Sequence, residues 1–382
     1  MESPFRDDRE AAHMRAEQLV EENEQLRREL AEAKKPKLPP LPVDPPKRMI
    51  MAAVSGGLVA VALAAGAALF WVRSPPRVNN PVATDGKEHI SVKWVSEPSP
   101  TTDTLRGVWT NGRDTYAVGE NGVFIYRTPS GVWSSQRTGT TATLNCIVSG
   151  AATFAVGDGG TILRFASETR SWMTEKSGTN ENLYGVTLSE GSAVAVGSNG
   201  TVLVRGMDEK WKTVPTPTHE DLHAVGVAGG LFAVGNRGTI LFGLPDREVV
   251  AQQTGTAEDL RGIVSAASEI FTVGSHGTVL RASSASAVPW ASERSEAQSD
   301  LLAAAVVHAQ YASRSAGYSA TGSTNAVLAV GRRGVYLVDN LHAKNGFEVG
   351  VVQGGADLLA VGASGSEAFA VGAKGTIVHG SF

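Results

Sequence analysis

Cysteine is almost absent: Cys146 is the only one in 382 residues. No disulfide framework therefore speaks for or against export. A lone cysteine at a small-residue repeat position reads as buried packing rather than as a nucleophile. Basic stripes are missing too, and a net charge of -4 leaves no footprint for nucleic acid. The motifs of common chemistry are likewise absent. There is no Gly-x-Ser-x-Gly elbow, no phosphate loop, no Asp-rich calcium repeat and no Ser-x-Asp-x-Gly-x-x-Trp box. The eight histidines form no metal pattern. His219 and His223 are four apart, but a turn running into a strand separates them, and no carboxylate stands at ligand spacing. No cofactor, no metal and no catalytic residue is expected, and the chain reads as a non-enzyme.

Glycine is abundant, and it is ordered. Val-Gly, two variable residues and Gly recur seven times, an apolar residue or two closing most copies. The first glycines are Gly119, Gly157, Gly197, Gly235, Gly274, Gly331 and Gly372. Their partners are Gly122, Gly160, Gly200, Gly238, Gly277, Gly334 and Gly375. The spacing is close to 40 residues except between Gly274 and Gly331. Within a unit, four β-rich runs are separated by Gly, Asn, Asp and Ser clusters, which reads as a four-stranded meander. A 40-residue period of short strands is the signature of a β-propeller. The fold class is all-β, with seven blades.

A leucine opens the first strand of each unit: Leu105, Leu144, Leu183, Leu222, Leu260, Leu301 and Leu358. Two residues later stands a small residue, as blade crowding at a central channel requires. Asp, Asn or Thr precedes each leucine and is expected to hydrogen-bond its local backbone and pin the connection between blades. The seventh unit lacks its fourth strand. Residues 90–97 resemble that strand in type and position, so the propeller, 88–382, is expected to close one-plus-three. Residues 309–325 are an insertion in blade 6, rich in Ser, Ala, Gly and Tyr. It reads as a surface loop on the face opposite the Gly-x-x-Gly turns, or as a binding loop with Tyr311 and Tyr318 as contacts.

The residue after each leucine should lie near the axis. Arg106, Asn145, Tyr184, His223 and Arg261 are polar there, giving either a mildly cationic mouth for an anionic or peptide ligand or merely solvated channel residues. The hairpin tips change character around the ring. Glu120 and Asp158 mark one side; Arg237, Arg332, Arg333 and Lys374 mark the other and could orient a protein partner.

The first 87 residues read differently. After a disordered start (1–7), residues 8–35 suit a cytoplasmic coiled-coil helix. Asn23 and Leu30 fall at a positions and Leu19 and Leu26 at d, which favours a parallel homodimer; a solvated helix, or one docked on another protein, is the alternative. Residues 36–48 form a Pro-rich spacer. Residues 49–72 carry no charge and are long enough to span a bilayer as a single transmembrane helix. A cleaved signal peptide is the rival, but its charged region would be far too long. More Lys and Arg lie before the span than just after it, which places the N-terminus in the cytoplasm. Residues 73–87 read as a flexible tether. The expected setting is a bacterial inner membrane, with the propeller periplasmic or extracellular.

The repeats Tyr-Ala-Val-Gly-Glu-Asn-Gly at 116–122, Phe-Ala-Val-Gly-Asp-Gly-Gly-Thr-Ile-Leu at 154–163 and Phe-Ala-Val-Gly-Ala-Lys-Gly-Thr-Ile at 369–377 resemble the photosystem II assembly-factor type of propeller and its bacterial relatives. The resemblance covers residues 90–382. It implies a seven-bladed, non-enzymatic scaffold that binds protein partners and assists assembly of membrane complexes. The family's Asp-Gly-Gly-x-x-Trp element is reduced here to Trp133, Trp172 and Trp211. The alternative function is an exported ligand- or glycan-binding sensor coupled to the cytoplasmic helix.

Overall fold

The computed structural model describes residues 88–382 apart from 190–191, 244–248, 284–288, 316–317 and 341–345. The helix 8–35 with Leu19, Asn23, Leu26 and Leu30, the spacer, the candidate span 49–72 and the tether lie outside the described residues. So do the homodimer and the orientation that rest on them.

Seven antiparallel sheets follow one another along the chain. They are blades 1 to 7 at 105–136, 144–175, 183–213, 222–252, 260–292, 301–351 and 358–381. The first strands of successive blades touch in an unbroken cycle, and that of blade 7 returns to that of blade 1. Closure is one-plus-three, as expected. Lys93–Ser96 pairs antiparallel with the last strand, Trp94 facing Gly380 and Ser96 facing Val378.

Both glycines of the repeated turn are demanded by sterics. Gly119 is extended, but a Cβ there would lie 2.0 Å from the carbonyl oxygen of Thr104. Gly122 has φ +67, and its Cβ would lie 2.1 Å from the Thr140 carbonyl. Neither clash is tolerable for an L side chain. The same two contacts recur around most of the ring, which is why the glycine pair is the strongest signal in the sequence.

An aromatic residue eleven positions before the next leucine wedges six of the seven junctions between blades. Trp133 meets Phe369, Trp172 meets Phe124, Trp211 meets Phe154, Trp290 meets Phe232 and Phe347 meets Phe271, mostly edge to face. Trp94 does the same against Tyr336. The position is Val249 in blade 4. There an apolar cavity of about 30 Å³ opens between blades 3 and 4, lined by Val194, Val249 and other aliphatic side chains. Two junctions carry a further lock. Glu97 accepts from Arg127 Nε (3.0 Å) and Nη2 (3.0 Å) and from Trp133 Nε1 (2.6 Å). Glu175 takes the same place toward Arg205 and Trp211.

Two expectations are corrected. The closing strand is shorter than 90–97: Ile90 belongs to a separate strand, Glu88–Ile90, that pairs with Tyr311–Ser313. The insertion 309–325 is not a loop. It continues the first two strands of blade 6, Leu301–Ser315 and Tyr318–Gly331, in one ladder that runs to Ser315 facing Tyr318. Backbone pairing carries this ribbon along its length, and its Ser-, Ala- and Gly-rich composition disguised it. Its base is held by Ile90, Val307 and Ala309 in the core between blades 6 and 7. His308 N–H donates to the Gly365 carbonyl of blade 7 (2.7 Å).

Candidate binding face

Each first strand begins with a β-bulge. Leu105 faces Gly119 and Gly107 faces Val118, leaving Arg106 unpaired between them; the same shift occurs in all seven blades. A bulge re-aims its extra residue, and here it turns that side chain to the channel. The small residue that follows is needed. A Cβ on Gly107 would sit 2.9 Å from Cys146 Cα of the next blade, and one on Gly262 would sit 3.1 Å from Ala303 Cα.

Arg106, Asn145, Tyr184, His223 and Arg261 line one recess of about 540 Å³ at the mouth on the turn face. The bulge residues of blades 6 and 7, Leu302 and Leu359, line only the deeper throat. The recess is therefore displaced toward blades 1 to 5. Asp158, Asn182, Asp221, Asn236 and Asp259 complete it. In the sequence Asp221 and Asp259 read as linker residues; in the structure their position before the leucine faces the mouth. The expected cationic mouth is corrected by these residues, since three aspartates stand against two arginines.

The arginines are also engaged. Arg106 Nη2 donates to Glu120 Oε1 (2.8 Å), and that bond holds the Glu120 carboxyl below its usual range. Arg261 Nη2 donates to Asp259 Oδ2 (2.9 Å). Burial, with Arg261 beside it, pushes the His223 pKa down, so the ring is neutral at pH 7. His223 Nε2 lies 2.6 Å from Asn236 Oδ1 and 3.0 Å from Arg261 Nη1. Its ring also meets Tyr184, centroids 5.4 Å apart. Cys146 lines the throat, and burial pushes its thiol up, away from nucleophilic use. Among the described residues no three His, Cys, Asp or Glu gather as a metal set.

In blades 3 to 7 the residue before the leucine is a clip between blades rather than a local turn former. Its carbonyl accepts from the turn of its own blade, as Asp259 does from Ser275 N–H (2.9 Å). Its side chain accepts from the turn of the preceding blade. Gly159 N–H donates to Asn182, Asn199 to Asp221, Arg237 to Asp259, His276 to Asp300 and Arg333 to Asp357, at 2.8–3.1 Å. The donors share a left-handed backbone, φ 52 to 63, at the tip of each turn.

Those tip residues form the outer rim. In blades 1 to 3 they are Asn121, Gly159 and Asn199; in blades 4 to 7 they are Arg237, His276, Arg333 and Lys374. All seven are exposed. The basic tips thus occupy consecutive blades and form an arc. Arg237 pairs with Glu220 (3.1 Å) and His276 with Glu258 (2.7 Å); the latter bond raises the His276 pKa. Arg332 is held by Asp300 (3.0 Å) and Asp357 (3.5 Å). Arg333 and Lys374 have no ion pair among the described residues. His276 was overlooked in the sequence, although its position in the turn matches that of Arg237.

No protein family and no curated protein sequence matches this chain. Solved structures do match, at identities that show the fold alone. The virginiamycin B lyase of Staphylococcus aureus superposes with a TM-score of 0.64 at 11% identity, covering 76% of this chain and 100% of its own. YCF48, the photosystem II assembly factor, bound to a D1 peptide, gives 0.59 at 15% identity, with 76% and 95% covered. The WD40 repeats of RRP9 give 0.59 at 11%, with 78% and 98% covered. Residues 88–382 are a seven-bladed propeller of a form found in both binding proteins and a lyase.

Proposed function

We propose that this chain is a non-enzymatic, membrane-anchored propeller scaffold that binds protein partners in the cell envelope and assists assembly of a membrane complex. The observation that carries the reading is the arc of exposed basic tips on four consecutive blades. A catalytic centre concentrates groups on one point, whereas these cations are spread along a rim. Such an arrangement suits an extended acidic surface of a protein and steers its approach. The peptide-bound YCF48 supports the reading as a propeller of the same form that takes a peptide. The charge-free stretch 49–72 supports the anchor, with the N-terminus in the cytoplasm and the propeller outside.

The test is co-purification of the full-length protein from membranes with its captured partners. The comparison is the variant carrying Arg237→Glu, Arg333→Glu and Lys374→Glu. Reversal is expected to weaken retention by about tenfold or more, and added salt is expected to weaken retention by the parent protein. Equal retention by parent and variant at every salt concentration contradicts the reading.

A further inference from the structure

We infer that the off-axis recess of blades 1 to 5 is a binding site for a neutral, hydroxyl-rich small molecule, such as a saccharide unit. It stands apart from the basic arc and does not depend on it.

The size is right for a ligand: about 540 Å³ falls within the range of roughly 300–1,000 Å³ usual for small-molecule sites. The chemistry narrows the class. All ten residues described as lining the recess are polar, and both signs of charge are present. An anion would meet Asp158, Asp221 and Asp259, which outnumber the two arginines of the recess. A cation would meet Arg106 and Arg261. An apolar ligand would strip water from polar groups and offer nothing in return. A hydroxyl both donates and accepts, so a polyol matches a wall that mixes the two.

Unused capacity is there to be matched. Asp158 Oδ1 accepts from Asn145 Nδ2 (2.8 Å) and Asp221 Oδ1 accepts from Asn199 N–H (3.0 Å). The second oxygen of each carboxylate has no hydrogen bond among the described residues, nor has the Tyr184 hydroxyl. A carboxylate oxygen fixed through its twin is a preorganised acceptor, which lowers the ordering cost of binding. The Arg106 and Arg261 guanidiniums keep further N–H groups for ring or hydroxyl oxygens. Tyr184, set against neutral His223, supplies an aromatic surface for the C–H face of a sugar ring. Asn145, Tyr184 and His223 sit on bulges locked by the blade ladders, and Asp158 and Asn236 on the repeated turns.

The experiment is ligand-observed NMR on the full-length protein in detergent. The probes are maltose, cellobiose, trehalose and N,N′-diacetylchitobiose, with citrate as an anionic control and choline as a cationic one. At least one disaccharide is expected to bind with a dissociation constant of about millimolar or tighter. Binding should survive high salt and Lys374→Ala. It should weaken about tenfold in Tyr184→Ala and in Asp158→Asn. Thermal unfolding of each variant accompanies the measurement, and Tyr184→Phe, which keeps the ring, should weaken binding several-fold while folding normally. Failure of every disaccharide to bind, preference for citrate or choline, or disaccharide binding that is unchanged in folded Asp158→Asn and Tyr184→Phe overturns the inference. None of these results bears on the basic arc.

Discussion

Asp339 shows what one side chain does to this propeller. It lies 7% exposed in the third strand of blade 6, with Oδ1 buried and without a hydrogen bond. Burial, reinforced by Glu293 and more weakly by Glu269 and Glu348, raises its pKa to about 6, with Arg281 opposing. The folded value exceeds the unfolded 3.8, so the fold prefers the protonated acid. The group's contribution is full below the unfolded value, falls as pH rises toward 6 and stays lost above it. Asp339→Asn should therefore stabilise the protein by about 2 kcal/mol at neutral pH and by little near pH 4. Urea unfolding at the two pH values checks this; an equal effect at both contradicts it. Little of this was legible in the sequence, because the position Asp339 holds varies around the ring, being Arg127 in blade 1 and Arg205 in blade 3, and its charged neighbours Arg281 and Glu269 come from blade 5. The mouth residues were more legible. The position after each leucine could be read from the repeat, whereas the bulge that aims it could not, being a matter of register between strands. Asp221 and Asp259 were visible as recurring residues, but only the next blade's turn, brought close by the ring, shows what they bind.

At the scale of elements, the closing strand and the inter-blade wedges hold the ring. Glu97 follows the closing strand and joins blade 7 to blade 1, its side chain 12% exposed. Glu97→Ala leaves Arg127 and Trp133 Nε1 without their acceptor, and should cost about 3 kcal/mol. The same change at exposed Glu168 should cost less than about 0.5 kcal/mol. Denaturant titration of both variants distinguishes them. The valine at 249 offers the opposite test. Val249→Phe would extend into the cavity between blades 3 and 4, and a gain of about 1 kcal/mol is expected. A loss would show that the junction is already packed to its limit. The one-plus-three closure was legible because Trp94 stands eleven residues before Leu105, as Trp133 does before Leu144. The blade 6 ribbon was not. Long strands of small polar residues lack the apolar alternation that marks a half-buried strand.

At the scale of the molecule, seven units with the same turn produce a ring whose rim differs from one side to the other. The turn geometry is constant and its tip residue is free to vary, because the left-handed backbone there is carried by non-glycine residues in most blades. Variation at that position is how a repeat fold acquires a direction. Protonation of His276, whose pKa Glu258 raises, adds charge to the arc, so partner binding should strengthen as pH falls through that raised value. The number of blades and the basic side of the rim were legible from the period and from Arg237, Arg333 and Lys374. The most direct test places a photo-crosslinking side chain in turn at the seven tips, positions 121, 159, 199, 237, 276, 333 and 374, in living cells. The scaffold account predicts a common protein adduct from positions in blades 4 to 7 and little from blades 1 to 3. Adducts spread evenly around the ring, or confined to positions 121, 159 and 199, would contradict it.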